Sequence, residues 1–156
     1  MSDVNVRKLI AETLSYYQNT NASVHFWIKT ILEGHQYLDK RDRAFLTRVV
    51  EGTVEHRMEI DYILNNFSTT PVRRMDNEVR SILRMSVYQI KYMDAVPDSA
   101  AVNEAVKLIK KGRYKHLQGF VNGVLRNIIR NIDNMDYPDE KLQPFDYLEV
   151  KFSMPR

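Results

Sequence analysis

Val96-Pro97-Asp98, Asn103-Glu104-Ala105-Val106 and Phe120-Val121-Asn122-Gly123-Val124-Leu125-Arg126-Asn127-Ile128 mark the stretch, residues 96–132, that decides the fold. Pro97-Asp98 is a helix start, because proline tolerates the first turn and an acid there meets the positive end of the helix dipole. Ala101, Val102, Ala105, Val106 and Ile109 then recur at helical spacing, and Gly112 is a stop. A second helix carries Leu117, Phe120, Val121, Val124, Leu125, Ile128, Ile129 and Ile132 on one face. Between them, Lys107, Lys110, Lys111, Arg113 and Lys115 place five cations in nine positions with no acid among them, beside Tyr114 and His116. The stretch predicts two helices joined by a positively charged corner.

The same period runs outward from there. Val6, Leu9, Ile10, Leu14 and Tyr17 predict a first helix. Val24, Trp27, Ile28, Ile31 and Leu32 predict a second, with Asn21 as its N-cap and Gly34 as its stop. From Asp39 to Phe67 the pattern predicts a single helix of more than 25 residues. Gly52 near its middle costs about 1 kcal/mol against alanine, so a close helix contact is expected there. Ser68-Thr69-Thr70-Pro71 breaks the pattern. Asp76 caps a helix bearing Val79, Ile82, Leu83, Val87 and Ile90. No stretch alternates with period two, so the expected class is all-α, with six main helices, three before Pro71 and three after. Residues 1–135 form the helical domain. Residues 136–156, with Asp136-Tyr137-Pro138-Asp139-Glu140 and Pro144, have the composition of a linker-like tail.

At 156 residues and 44% hydrophobic, the chain is large enough for a packed core. Its apolar runs are too short to span a bilayer and its N-terminus is not a signal peptide. The absence of cysteine excludes a disulfide framework, a thiolate metal site and a cysteine nucleophile, and the expected compartment is the cytoplasm. The net charge of +3 hides an asymmetry. Residues 1–131 carry 20 basic and 14 acidic side chains, and residues 132–156 carry 3 and 6. A basic body suits phosphate contacts, although it also serves plain solubility.

No catalytic or metal residue is assigned. The five glycines form neither a P-loop nor a dinucleotide fingerprint. His25, His35, His56 and His116 are dispersed without ligand spacing. Gly119 and Gly123, four apart, are expected to allow close helix packing. Glu51 with Glu55, and Glu59 with Asp61, read as a solvated helix face. The basic joint is the positive signal. One or two cations at a helix C-terminus are explained by the dipole, whereas five beside an aromatic suit phosphate contacts with nearby stacking. Weaker basic groups are Arg7-Lys8, Lys40-Arg41-Arg43-Arg48, in which Arg43 could pair with Asp39, and Arg73-Arg74.

The residues quoted above, with Asp42-Arg43-Ala44-Phe45 and Val50-Glu51-Gly52-Thr53, resemble the NusB family of helical RNA-binding proteins. More narrowly, Arg43-Ala44-Phe45, Glu51-Gly52-Thr53 and the C-terminal stretch 147–156 resemble the NusB-like N-terminal domain of bacterial 16S ribosomal RNA cytosine-5 methyltransferases of the RsmB or Sun type. The resemblance implies two packed three-helix bundles that bind RNA, in the narrower match 16S ribosomal RNA, ahead of a methyltransferase domain in cis. Such enzymes add a cysteine thiolate to cytosine C6 and take the methyl group from S-adenosylmethionine. This chain, without cysteine, needs no cofactor of its own and would be a non-catalytic part of that enzyme. The resemblance places RNA contacts at Arg7 and Lys8 and a base-stacking aromatic at Phe120, whose alternative role is core. With Lys107, Lys110, Lys111, Arg113, Tyr114 and Lys115 these make up the expected RNA surface. Two other readings remain open: a free-standing transcription antitermination factor that binds RNA with a ribosomal protein, and a helical protein-interaction module.

Overall fold

The computed structural model describes residues 5–134, and every regular element in that range is helical. The order is α1 (Val6–Gln18), α2 (Val24–Gly34), α3 (Lys40–Glu55), α4 (Arg57–Phe67), α5 (Asn77–Tyr92), α6 (Asp98–Lys111) and α7 (Gln118–Asn131). Single 3-10 turns follow Pro71, Tyr114 and α7. The tail expected over 136–156 lies outside the described residues.

Caps set most of the boundaries. The Asn5 side chain accepts from the amides of Arg7 and Lys8, Asp39 from Asp42, and Asp76 from Glu78. Asn21 does not cap α2. Ser23 does, because its hydroxyl lies three residues before the Phe26 amide and accepts from it at 3.1 Å. Gly112 closes α6 as expected.

The long helix expected over 39–67 is two. At His56 the backbone leaves helical geometry (φ −102°, ψ 20°), and the imidazole stacks on Tyr92 with ring centroids 4.3 Å apart. The break lets α3 pack on α1 and α2 while α4 turns toward α5 and α7. Hence there are seven α-helices among the described residues, and α4 joins the second group although it precedes Pro71. Gly52 makes the expected close contact: it is buried, and an added Cβ would overlap the Tyr88 ring. Gly119 and Gly123 do not. Both lie on the outward face of α7 with nothing within 4 Å, because Val121, Val124, Leu125 and Ile128 take the inward one.

Helix α5 is the axis of the molecule, packed by α1 and α3 on one flank and by α4, α6 and α7 on the other. It is buried nearly all round, so its polar residues need partners inside. Ser81 accepts from Ser15 at 3.1 Å and from Gln18 at 3.0 Å. The Ser86 hydroxyl donates to the Ile82 carbonyl at 2.7 Å. Arg84 forms a two-pronged pair with Asp61 of α4, both contacts at 2.8 Å. Asp61 and its neighbour Glu59, which is buried, therefore do not lie on a solvated face. Contacts of Arg7 with Gln89 and of Ser15 with Ser81 show that α1 runs antiparallel to α5.

Candidate nucleic-acid interface

The fold sets the basic joint against the start of α5. Lys107, Lys110 and Lys111 occupy the last turns of α6, all exposed, where cations complement the helix dipole. The chain then turns at Gly112 through Arg113, Tyr114 and Lys115 into α7. The Arg113 guanidinium lies over the Tyr114 ring, 5.1 Å from its centroid. The Tyr114 hydroxyl donates to the free carboxylate oxygen of Asp76, whose other oxygen caps α5. This hydrogen bond holds the Asp76 carboxyl below the usual carboxylate range and raises the Tyr114 phenol. The joint is therefore anchored, and Asp76 brings to it a carboxylate that its local sequence lacks. Lys110, Lys111 and Lys115 have no ion-pair partner among the described residues.

Arg7, at the start of α1, lies toward the other end of α5. Its Nε donates to the buried Gln89 amide oxygen at 2.9 Å, and its guanidinium sits 5.1 Å from the Phe45 ring centroid. Burial disfavours its charge, and Glu104 restores part of it. Glu104 also binds Lys107 at 3.3 Å. Lys8, next to Arg7, is exposed. Phe120, in the first turn of α7, is partly buried and packs against the core.

The remaining basic groups differ. Arg43 donates to the Leu32 carbonyl at 3.4 Å rather than pairing with Asp39, which caps α3. Arg48 donates to the Tyr92 carbonyl at 3.3 Å. Both line a shallow groove with Glu51, Gly52, Glu55 and Tyr88. Sequence reasoning missed Asp76, Glu104, Gln89 and Phe45 as partners of the basic residues. Only the acid at Glu104, three residues before Lys107 on a helix, was a local signal.

The groove on α3 and a second one between the α5–α6 connection and the end of α7 lie on helix surfaces. The described residues contain no strand. No helix among them is long and apolar enough to cross a membrane.

A seven-helix fold around one largely buried axis, with a basic joint set against the start of that axis, defines a class of small helical domains. The NusB family profile matches residues 4–130, and the chain belongs to the NusB family. It is similar to the probable ribosomal RNA small subunit methyltransferase B of Bacillus subtilis (strain 168), with 34% identity over 83% of this chain but only 29% of that protein. It is also similar to the transcription antitermination protein NusB of Exiguobacterium sp. (strain ATCC BAA-1283 / AT1b), with 32% identity over 80% of this chain and 94% of that protein. The chain spans less than a third of the methyltransferase relatives it matches. Among solved structures, a crystal structure of the antitermination factors NusB and NusE in complex with dsRNA shares the fold, with a TM-score of 0.73, 22% identity, and coverage of 80% of this chain and 93% of that one.

Proposed function

We propose that this chain is the RNA-binding N-terminal domain of a ribosomal RNA cytosine-5 methyltransferase, holding small-subunit ribosomal RNA for a catalytic domain in cis. The single observation that carries this reading is the 34% identity to a ribosomal RNA small subunit methyltransferase over 83% of the chain. S-adenosylmethionine and the catalytic thiolate would both belong to that other domain, and the compartment would be the cytoplasm. Lys110, Lys111, Arg113 and Lys115 contact phosphates, with Lys107, Arg7 and Lys8 extending the path. Tyr114, under the Arg113 guanidinium, and Phe120, in the first turn of α7, are the aromatic groups assigned to it. A second reading, a free-standing antitermination factor acting with a ribosomal protein, is favoured by the match to nearly the whole length of NusB from Exiguobacterium.

Reading the open reading frame beyond Arg156 separates the two. A methyltransferase domain there supports the first, and a stop codon supports the second. RNA binding itself is tested by titration with single-stranded ribosomal RNA fragments at two salt concentrations. About four phosphate contacts predict affinity falling about 50-fold between 50 and 200 mM salt.

A further inference from the structure

A second group of cations gathers at the end of α5 opposite the joint. Arg7 Nε donates to the Gln89 amide oxygen at 2.9 Å, and an Arg48 terminal nitrogen donates to the Tyr92 carbonyl at 3.3 Å. Gln89 and Tyr92 lie one turn apart at the close of α5. The same pairing recurs on α3. The Arg7 guanidinium sits 5.1 Å from the Phe45 ring centroid, and Phe45 lies one turn before Arg48. Two separate sets of contacts thus bring Arg7 and Arg48, distant in sequence, to one corner of α1, α3 and α5. Lys8, beside Arg7, is exposed, and Lys91 adds a cation in the last turn of α5, its Nζ 5.7 Å from the Tyr92 ring centroid.

A helix C-terminus draws cations to its open carbonyls, and Arg48 serves Tyr92 in that way. That contact uses one donor of the guanidinium. Arg48 is exposed and has no ion-pair partner among the described residues, so the rest of its fork is open to a phosphate. Arg48 and Arg43 line the groove on α3, and of the two carboxylates there Glu51 faces His25 Nδ1 at 3.2 Å. Tyr114 ties the joint to Asp76 at the start of α5. From Asp76 to Gln89 the helix rises about 20 Å. We propose that this corner is a second phosphate site, with Arg48 as its contact residue, and that one RNA strand engages the joint and the corner together. At stacked spacing the strand covers that gap with about six nucleotides. The inference rests on the RNA-binding reading and adds to it a site on α3.

Titration of the full chain with single-stranded ribosomal RNA fragments of about four and about twelve nucleotides tests it. The longer strand reaches both sites and should bind at least about tenfold tighter than the shorter one. Arg48→Ala should weaken the longer strand about tenfold and lower its salt slope by about 0.7, the loss of one phosphate contact, while the shorter strand changes less than about twofold. Arg48→Lys keeps the charge and should keep the slope, a readout that loosening the end of α5 alone would not move. An Arg48→Ala variant of unchanged helicity that binds the longer strand like the wild type, or a wild type indifferent to strand length, would overturn the proposal and leave RNA binding at the joint standing. A wild type that binds neither strand overturns the RNA-binding reading and this site with it.

Discussion

Gly52 and Tyr114 show how single residues set this molecule's geometry. The Tyr88 ring occupies the space a Cβ at Gly52 would need, so Gly52→Ala must push a buried aromatic aside. The helix-propensity gain of about 1 kcal/mol does not offset that overpacking, and we expect a net loss of about 1–3 kcal/mol in urea denaturation. Adding Tyr88→Leu should recover part of it. The close approach was legible in sequence, since a mid-helix glycine needs a reason, but the partner 36 positions away was not. Tyr114 bonds Asp76 across 38 positions, and no local pattern reports such a contact. Asp76 is depressed first by this hydrogen bond, so its contribution to stability is present above the unfolded carboxylate value and lost as pH falls through the lowered folded one. Tyr114→Phe should move the Asp76 titration, followed by carboxyl-carbon NMR, upward toward the ordinary value of about 4.

At the level of elements, the α3–α4 break and the polar axis α5 carry the lesson. Apolar periodicity continues unbroken through His56, so sequence alone reads one long helix. What ends it is tertiary: the imidazole stacks on Tyr92 of another helix. Likewise Asp61 sits two residues from Glu59 in what reads as a solvated acidic pair, yet it meets Arg84 in the interior. Their side chains are 24% and 10% exposed. Removing Asp61 leaves Arg84 largely buried without its carboxylate, so Asp61→Ala should cost about 3 kcal/mol. Arg84→Met/Asp61→Ala should cost less than the sum of the single changes, measured in a double-mutant cycle by thermal denaturation. The helices with clear caps were legible because Asp39, Asp76 and Gly112 act locally. Asn21 misled because Ser23, two residues on, offers the better oxygen.

Across the whole molecule, the fold sets the joint after α6 as a basic flank against the start of α5 through Tyr114 and Asp76, while Arg7 of α1 bonds Gln89 near the other end of α5. The composition of the joint was legible, but its anchoring by Asp76 arises from the packing around α5. The steep salt dependence stated for RNA binding belongs to this flank as a whole, since it counts phosphates and not individual bases. Lys110, Lys111 and Arg113 are all exposed, Arg113 lying over the Tyr114 ring, so reversing their charges leaves the core intact. The most direct measurement is therefore the affinity of Lys110→Glu/Lys111→Glu/Arg113→Glu for a single-stranded ribosomal RNA fragment, beside a wild-type control of equal helicity. RNA binding by this flank predicts loss of at least about a hundredfold in affinity together with a shallower salt slope. Unchanged affinity and slope in the folded variant would contradict it.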